Sequence, residues 1–203
     1  MRTLGHGLAG LLTAAALMAG IGAVPALAAA LALTITPGGS FTGTGKLTVP
    51  IGQASISCKS SITGTLASGV VQGDKLGSIS SVKKCTGAGP LGTTLTITFS
   101  AGLGSNSWPM VASAFRSGVV SGEISNIKAT VSATGCTATI AGNSATSPGS
   151  IPFTFNGSTL DFLKGGDLHI WNVSGCFGLI ADGDTAELSA SYAITPKQTI
   201  TNP

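Results

Sequence analysis

The sequence predicts an all-β fold: one domain built as an antiparallel sandwich or a barrel-like arrangement and held by two disulfides. From about residue 34 onward, apolar and polar residues alternate with a period of two, as they do in half-buried strands. Turn-forming Gly, Pro, Asn and Asp separate these runs about every 8 to 12 residues, which is typical of sandwiches and barrels. Four cysteines, an even number, complete the pattern.

The first 28 residues have the features of a cleavable signal peptide. Arg2 supplies a positive charge, residues 8–24 are almost wholly apolar, and Ala26 and Ala28 are small residues where a signal peptidase reads the chain. We expect cleavage after Ala28, with Ala30 as the alternative. A retained membrane anchor is the competing interpretation, but a span needs roughly 20 strongly apolar residues. The sequence therefore predicts a secreted, extracellular protein, free or associated with the cell wall, without a stable membrane span.

The remaining residues, 29–203, are predicted to form a single β-rich domain. Charged residues make up 8% of the chain, against about 25% in a typical protein, while Ser and Thr supply about a quarter of it. Lys83 and Lys84 form the only adjacent basic pair. Nucleic-acid binding requires a basic stripe or patch, so nucleic acid is not an expected partner.

A repeated pattern surrounds the cysteines. Residues 58–64 (CKSSITG) and 136–142 (CTATIAG) both place Ile and Gly four and six positions after the cysteine. Cys85 and Cys176 are each preceded by Val at three positions and followed by Gly at two. The pattern predicts an internal duplication, with two pseudo-equivalent lobes packed through their apolar faces, at about 34–100 and 119–196.

Four cysteines allow three pairings, and the duplication favours the one in which each bridge stays within its repeat. The expected disulfides are Cys58 with Cys85 and Cys136 with Cys176. A metal site is the alternative use of these thiols, but the sequence has no Cys-x-x-Cys, the spacing typical of zinc ligands. No metal and no cofactor is predicted.

The clearest hairpin covers residues 151–162. A two-residue type I′ turn at Asn156-Gly157 would gather its apolar residues on one face. Pro152 would lie on the opposite face and indicates an edge position. The pairs expected from this turn are Phe155 with Ser158, Phe153 with Leu160, and Ile151 with Phe162.

Other strands follow from the same alternation. In the last of them, residues 186–194, Ala186, Leu188, Ala190, Tyr192 and Ile194 are expected to face inward. Residues 108–116 fit a short helix, a strand or a loop equally well. The remaining predicted strands are 46–49, 54–58, 78–82, 93–99 and 168–173.

Catalytic constellations are mostly missing from the sequence. His169 is the only histidine after cleavage, and its alternation with apolar neighbours indicates a partly exposed strand residue rather than a base for a nucleophile. Five carboxylates of the second half could supply a glycosidase pair, and the last three of them could hold Ca²⁺, but the Asp182-Gly183-Asp184 segment fits turn chemistry better. We therefore predict that the protein is not an enzyme. The five are Asp161, Asp167, Asp182, Asp184 and Glu187.

Several segments of the exported chain resemble an uncharacterised family of small secreted actinobacterial proteins of the Streptomyces type with four cysteines. These segments are residues 166–184, which contain Gly166-Asp-Leu-His-Ile-Trp and Cys176-Phe-Gly, together with 192–203, 79–92 and 122–129. The resemblance implies an extracellular location and assigns no catalytic residues.

Two classes of function are compatible with these observations, and an envelope hydrolase is a weaker third. The first is a non-catalytic extracellular or envelope protein, structural or binding, with a cell-wall component or another secreted protein as partner. Trp108 and Trp171 are its candidate contact residues, although both also fit a core. The second is a carrier of a small apolar ligand, whose cavity would be lined by Phe153, Phe155, Phe162 and Trp171 and would need about 300 Å³ or more.

Overall fold

The computed structural model describes residues 31–51, 54–88, 93–102 and 106–203. The predicted signal peptide, residues 1–28, lies outside these ranges. Within them, no helix has the length and apolar character needed to cross a membrane. The strands of the described residues are β1 (Ala32–Thr36), β2 (Gly39–Ile51), β3 (Ala54–Leu66), β4 (Gly69–Gln72), β5 (Gly77–Val82), β6 (Cys85–Ala88), β7 (Thr94–Ala101), β8 (Trp108–Arg116), β9 (Val119–Ala133), β10 (Cys136–Ala141), β11 (Gly149–Phe155), β12 (Thr159–Phe162), β13 (His169–Gly175), β14 (Ser189–Thr195) and β15 (Thr199–Thr201).

The predicted all-β class is confirmed, and the architecture is a closed barrel. Eight antiparallel strands follow one another in the order β2, β3, β5, β8, β9, β11, β12 and β14, and β14 pairs with β2 to close the ring. Closure leaves these strands without a free sheet edge. A separate three-stranded sheet, β15-β1-β4, adds Leu33, Ile35 and Ile200 to the same hydrophobic core.

The long strand β9 connects the barrel to a second group of strands. Its first half pairs with β8 and β11, whereas its second half pairs with β7 and β10. Gly122 lies in the first half, where a Cβ atom would overlap the carbonyl oxygen of Val111 on β8. A glycine is therefore required at this position of β9, which lies against the backbone of β8.

The strands of the two predicted repeats are interleaved rather than separated. β2 of the first segment pairs with β14 of the second, and β7 pairs with β9. Because these contacts are backbone ladders, the segments 34–100 and 119–196 do not form two lobes that meet through their side chains. The duplication in the sequence itself stays a prediction.

The core is built from alternate residues of the strands, as the period of two predicts. Ala186, Leu188, Ala190, Tyr192 and Ile194 are all buried. The undecided segment 108–116 is a strand, β8, because its buried residues also recur at every second position. They are Trp108, Met110 and Ala112.

The predicted hairpin exists, but its register was wrong by two residues. Phe155 pairs with Leu160 and Phe153 with Phe162, and residues 156–158 connect the two strands. The Asn156 side chain accepts hydrogen bonds from the Ser158 and Thr159 amides at 3.0 and 2.8 Å. These bonds stabilise a longer loop than a type I′ turn, which would also need a positive φ at Asn156. The same side chains still face inward because the shift is even.

The edge position predicted for Pro152 was wrong as well. Strand β11 lies inside the barrel sheet, between β9 and β12. Pro152 accepts a hydrogen bond from the Leu163 amide at 2.9 Å, one residue beyond the end of β12. Proline has no amide hydrogen to donate. Because Pro152 lies where the β11–β12 ladder ends, this costs no hydrogen bond in the interior of the ladder.

Both predicted disulfides are present. Cys58 pairs with Cys85 and Cys136 with Cys176, with Cα–Cα distances of 5.6 and 4.2 Å. The first joins β3 to β6, and the second joins the start of β10 to the turn after β13. Two bridges of this kind indicate an oxidising, extracellular environment.

The buried Tyr192 makes the stability of the barrel sensitive to alkaline pH. Burial raises its pKa to about 12, although the hydrogen bond with Ser60 lowers it in part. The phenol deprotonates near pH 10 in the unfolded chain, so its contribution is complete below pH 10 and is lost as the pH rises towards 12. We expect wild-type protein to lose about 2 to 3 kcal/mol more than Tyr192→Phe over that interval. Urea unfolding of both proteins at each pH measures this, and equal losses would contradict it.

Candidate functional site

The aromatic residues predicted to line a ligand cavity lie in a closed core. Phe153, Phe155 and Phe162 are at most 2% exposed, and the Phe162 ring packs edge-on against Tyr192 with the ring centres 5.1 Å apart. The gap beside Phe155 is too small to admit a water molecule. These three side chains are therefore packed within the barrel core.

The two tryptophans tie neighbouring segments together. Trp108 is 3% exposed, and its indole N–H donates to the Ser100 carbonyl at 3.0 Å. Trp171 is half-buried and donates to the Gly142 carbonyl at 2.8 Å. Trp108 therefore cannot form the exposed contact predicted for it, and Trp171 presents only part of its ring.

The carboxylates considered for catalysis or Ca²⁺ binding are engaged in local contacts. Asp182 accepts from the Val173 amide at 2.9 Å and Asp184 from the Ala181 amide at 2.8 Å. Glu187 lies 3.6 Å from the ammonium of Lys164. Among the described residues, no three His, Cys, Asp or Glu side chains are grouped closely enough to hold a metal ion.

The other polar residues considered as candidates from the sequence lie within strands or close to their ends. Asp167 accepts from the amide and the hydroxyl of Ser150 at 2.6 and 3.1 Å. His169 begins β13, is half-buried, and places Nδ1 3.4 Å from the Gly183 carbonyl. Asp161 lies on β12 opposite Thr154. Asp184 and Glu187 line one surface depression together with Pro50 and Thr185, and His169 lies beside Thr185.

A strained turn after β13 presents Phe177 to solvent. Four consecutive residues have positive φ: Gly175 at 74°, Cys176 at 65°, Phe177 at 55° and Gly178 at 71°. The left-handed conformation costs a non-glycine residue roughly 1 to 2 kcal/mol, and the Phe177 side chain is 63% exposed, so little packing offsets that cost. Strained backbone of this kind occurs preferentially at functional sites.

Three contacts hold this turn in place. The disulfide joins Cys176 to Cys136. The Cys176 amide donates to the Gly135 carbonyl and the Leu179 amide to the Cys176 carbonyl, both at 3.0 Å. Phe177 is consequently an apolar side chain on a rigid support, which is the arrangement that lowers the entropic cost of a contact.

Reasoning from the sequence missed Phe177. The repeat aligns Cys176-Phe177-Gly178 with Cys85-Thr86-Gly87, and only the similarity of the two segments was used. The available signal was their difference, since a phenylalanine replaces an exposed threonine beside a disulfide. Exposure of the ring depends on tertiary packing and could not be read from the alternation.

These observations define a disulfide-linked, closed β-barrel with a solid core, whose most exposed large apolar side chains in the described ranges are Val70 and Phe177. The chain belongs to the family described as alkane oxidation protein activator PraA/PraB-like, whose model matches residues 7–202. Membership of a defined family over most of the chain is thereby confirmed. No curated protein and no solved structure shows significant similarity to the chain.

Proposed function

We propose that the mature chain, residues 29–203, is a secreted, non-catalytic binding protein that supports alkane use by contact with the alkane phase. Export through a cleaved signal peptide and an origin in an actinobacterium are part of this proposal and rest on the sequence features given above. The family description supports a role in alkane oxidation. The barrel supports a role by surface contact, because Phe153, Phe155 and Phe162 are buried in the core whereas Phe177 is exposed.

The exposed ring of Phe177 is the observation that carries the proposal. An alkane offers no polar group, so it can be bound only through apolar area. Burying the 63% of this side chain that is exposed would contribute roughly 2 to 3 kcal/mol. The low content of charged residues, 8% of the chain, also lowers the desolvation cost of bringing the surrounding surface to an oil interface.

The proposal predicts that Phe177→Asn weakens adsorption of the mature, disulfide-bonded protein to hexadecane droplets by about tenfold or more. Asparagine tolerates the left-handed conformation, so the variant keeps the turn while losing the ring. The measurement is the fraction of protein that sediments or floats with the droplets across a range of droplet areas.

Val70→Thr is the matched control, since Val70 is 68% exposed and lies on β4, in the separate three-stranded sheet. We expect it to adsorb like the wild type. A specific role of the turn would be contradicted if Phe177→Asn adsorbed as strongly as the wild type, or if both variants lost the same share of their adsorption. Thermal melting of each variant shows that the comparison concerns folded protein.

A further inference from the structure

A second surface feature, independent of Phe177, is an open depression on the outer side of the β2–β3 ribbon. It has a volume of about 810 Å³, within the range of about 300 to 1,000 Å³ typical of ligand clefts. β5 pairs with β3 only from Ile62 onward, and the preceding part of β3 lies against β6, to which the Cys58–Cys85 disulfide joins it. The lining residues are Thr44, Gly45, Lys46, Ser57, Cys58, Lys59, Ser60, Ser61 and Lys83.

Three lysines converge on this depression. Lys46 and Lys59 are direct cross-strand partners, and like charges in that position repel and destabilise a sheet. Lys83 is brought alongside by its amide, which donates to the Ser61 carbonyl at 2.8 Å. Within the described residues, none of the three has a carboxylate partner, and no Asp or Glu lines the depression.

The floor of the depression is rigid and polar. The Cys58–Cys85 disulfide adjoins Lys59 on one strand and fixes β3 relative to the segment that carries Lys83. Ser60 is 5% exposed, and on the core side of β3 its hydroxyl accepts a hydrogen bond from the Tyr192 hydroxyl at 3.2 Å, which ties this strand to β14. The unpaired positive charges are thus held at fixed positions among hydroxyl groups.

We propose that this depression binds an anionic polysaccharide through its carboxylate groups. The three ammonium groups would pair with successive carboxylates, and the hydroxyls of Ser57, Ser61 and Thr44 would hydrogen-bond to the sugar. No aromatic or large aliphatic side chain lines the depression, so it offers neither the stacking platform that bases need nor an apolar anchor for lipid. Binding here would attach the protein to an acidic glycan while the Phe177 turn stays free.

The test measures binding of polygalacturonate to the mature protein by calorimetry, with dextran as the neutral polymer. Lys46→Gln, Lys59→Gln and Lys83→Gln should each weaken binding by about two- to fivefold, and rising salt should weaken it further. Lys75→Gln and Lys197→Gln, which alter exposed lysines elsewhere, are the matched controls and should bind like the wild type. Lys46→Gln should melt at the same or a higher temperature, because it removes the repulsion from Lys59.

Three results would overturn the proposal. One is equal weakening by the control lysines, which would indicate only non-specific attraction to net positive charge. Another is undiminished binding by the three groove variants. The last is binding to phosphatidylglycerol vesicles with none to polygalacturonate, which would assign the depression to a membrane surface. None of these probes contains alkane, so failure here leaves the result for Phe177 unaffected.

Discussion

Replacing both Cys136 and Cys176 by alanine should lower the free energy of unfolding by about 4 kcal/mol. The disulfide closes a loop with a sequence separation of 40 residues, and the Cys58–Cys85 bridge closes one of 27. The chain-entropy relation assigns about 3 to 4 kcal/mol to each. The loss expected from removing both disulfides is comparable with the whole net stability of a domain, about 5 to 15 kcal/mol. A protein that lacks both bridges should therefore be largely unfolded at growth temperature.

Urea denaturation followed by tryptophan fluorescence measures this effect in the two double variants. The Cys136→Ala, Cys176→Ala protein should also adsorb less to hexadecane droplets, because its Phe177 turn loses a covalent support, while the Cys58→Ala, Cys85→Ala protein serves as the comparison. Losses below about 1 kcal/mol in both would show that the unfolded chain is not appreciably constrained by its bridges.

Phe153→Ala should destabilise the barrel by about 3 to 5 kcal/mol. The side chain is fully buried on β11 and pairs with Phe162 on β12 and Gly122 on β9. Truncation removes a large apolar group and leaves a cavity, which the close-packed side chains around it can fill only in part. Thr154→Ala, the next residue on the same strand but only half-buried, is the control and should cost less than about 1 kcal/mol.

The same variant separates a core from a carrier. If Phe153 lined a ligand chamber, its truncation would enlarge that chamber, weaken ligand binding and cost little stability. A solid core predicts the reverse, with a large loss of stability and no stabilisation of either protein by added decane. Thermal melting with and without decane distinguishes these outcomes.

Local features of the sequence carried most of the correct predictions. Burial alternates along residues 186–194 because each strand exposes one face to the core, and that pattern is written into the strand itself. The disulfide pairs followed from two segments that share residues at the same spacings, and both bridges are present.

The errors arose where a local pattern allowed more than one partner. At residues 156–158, alternation required Phe153, Phe155, Leu160 and Phe162 to share a face but accepted any even shift, and the hydrogen bonds of the Asn156 side chain selected the register. Pro152 indicated a strand edge, whereas it lies where one ladder of an interior strand ends. In both places, the hydrogen-bonding environment decided among arrangements with equal apolar burial.

The amino-acid sequence alone therefore determined the all-β class, the inward face of residues 186–194 and of the 151–162 hairpin, and the cysteine pairs. Closure of the barrel through the pairing of β14 with β2, the exposure of Phe177 and the meeting of Lys46, Lys59 and Lys83 were decided only by the tertiary structure. The physical reason is that alternation specifies which side of a strand is apolar, but not which distant strand lies beside it. That choice depends on the simultaneous hydrogen bonding and packing of all the strands.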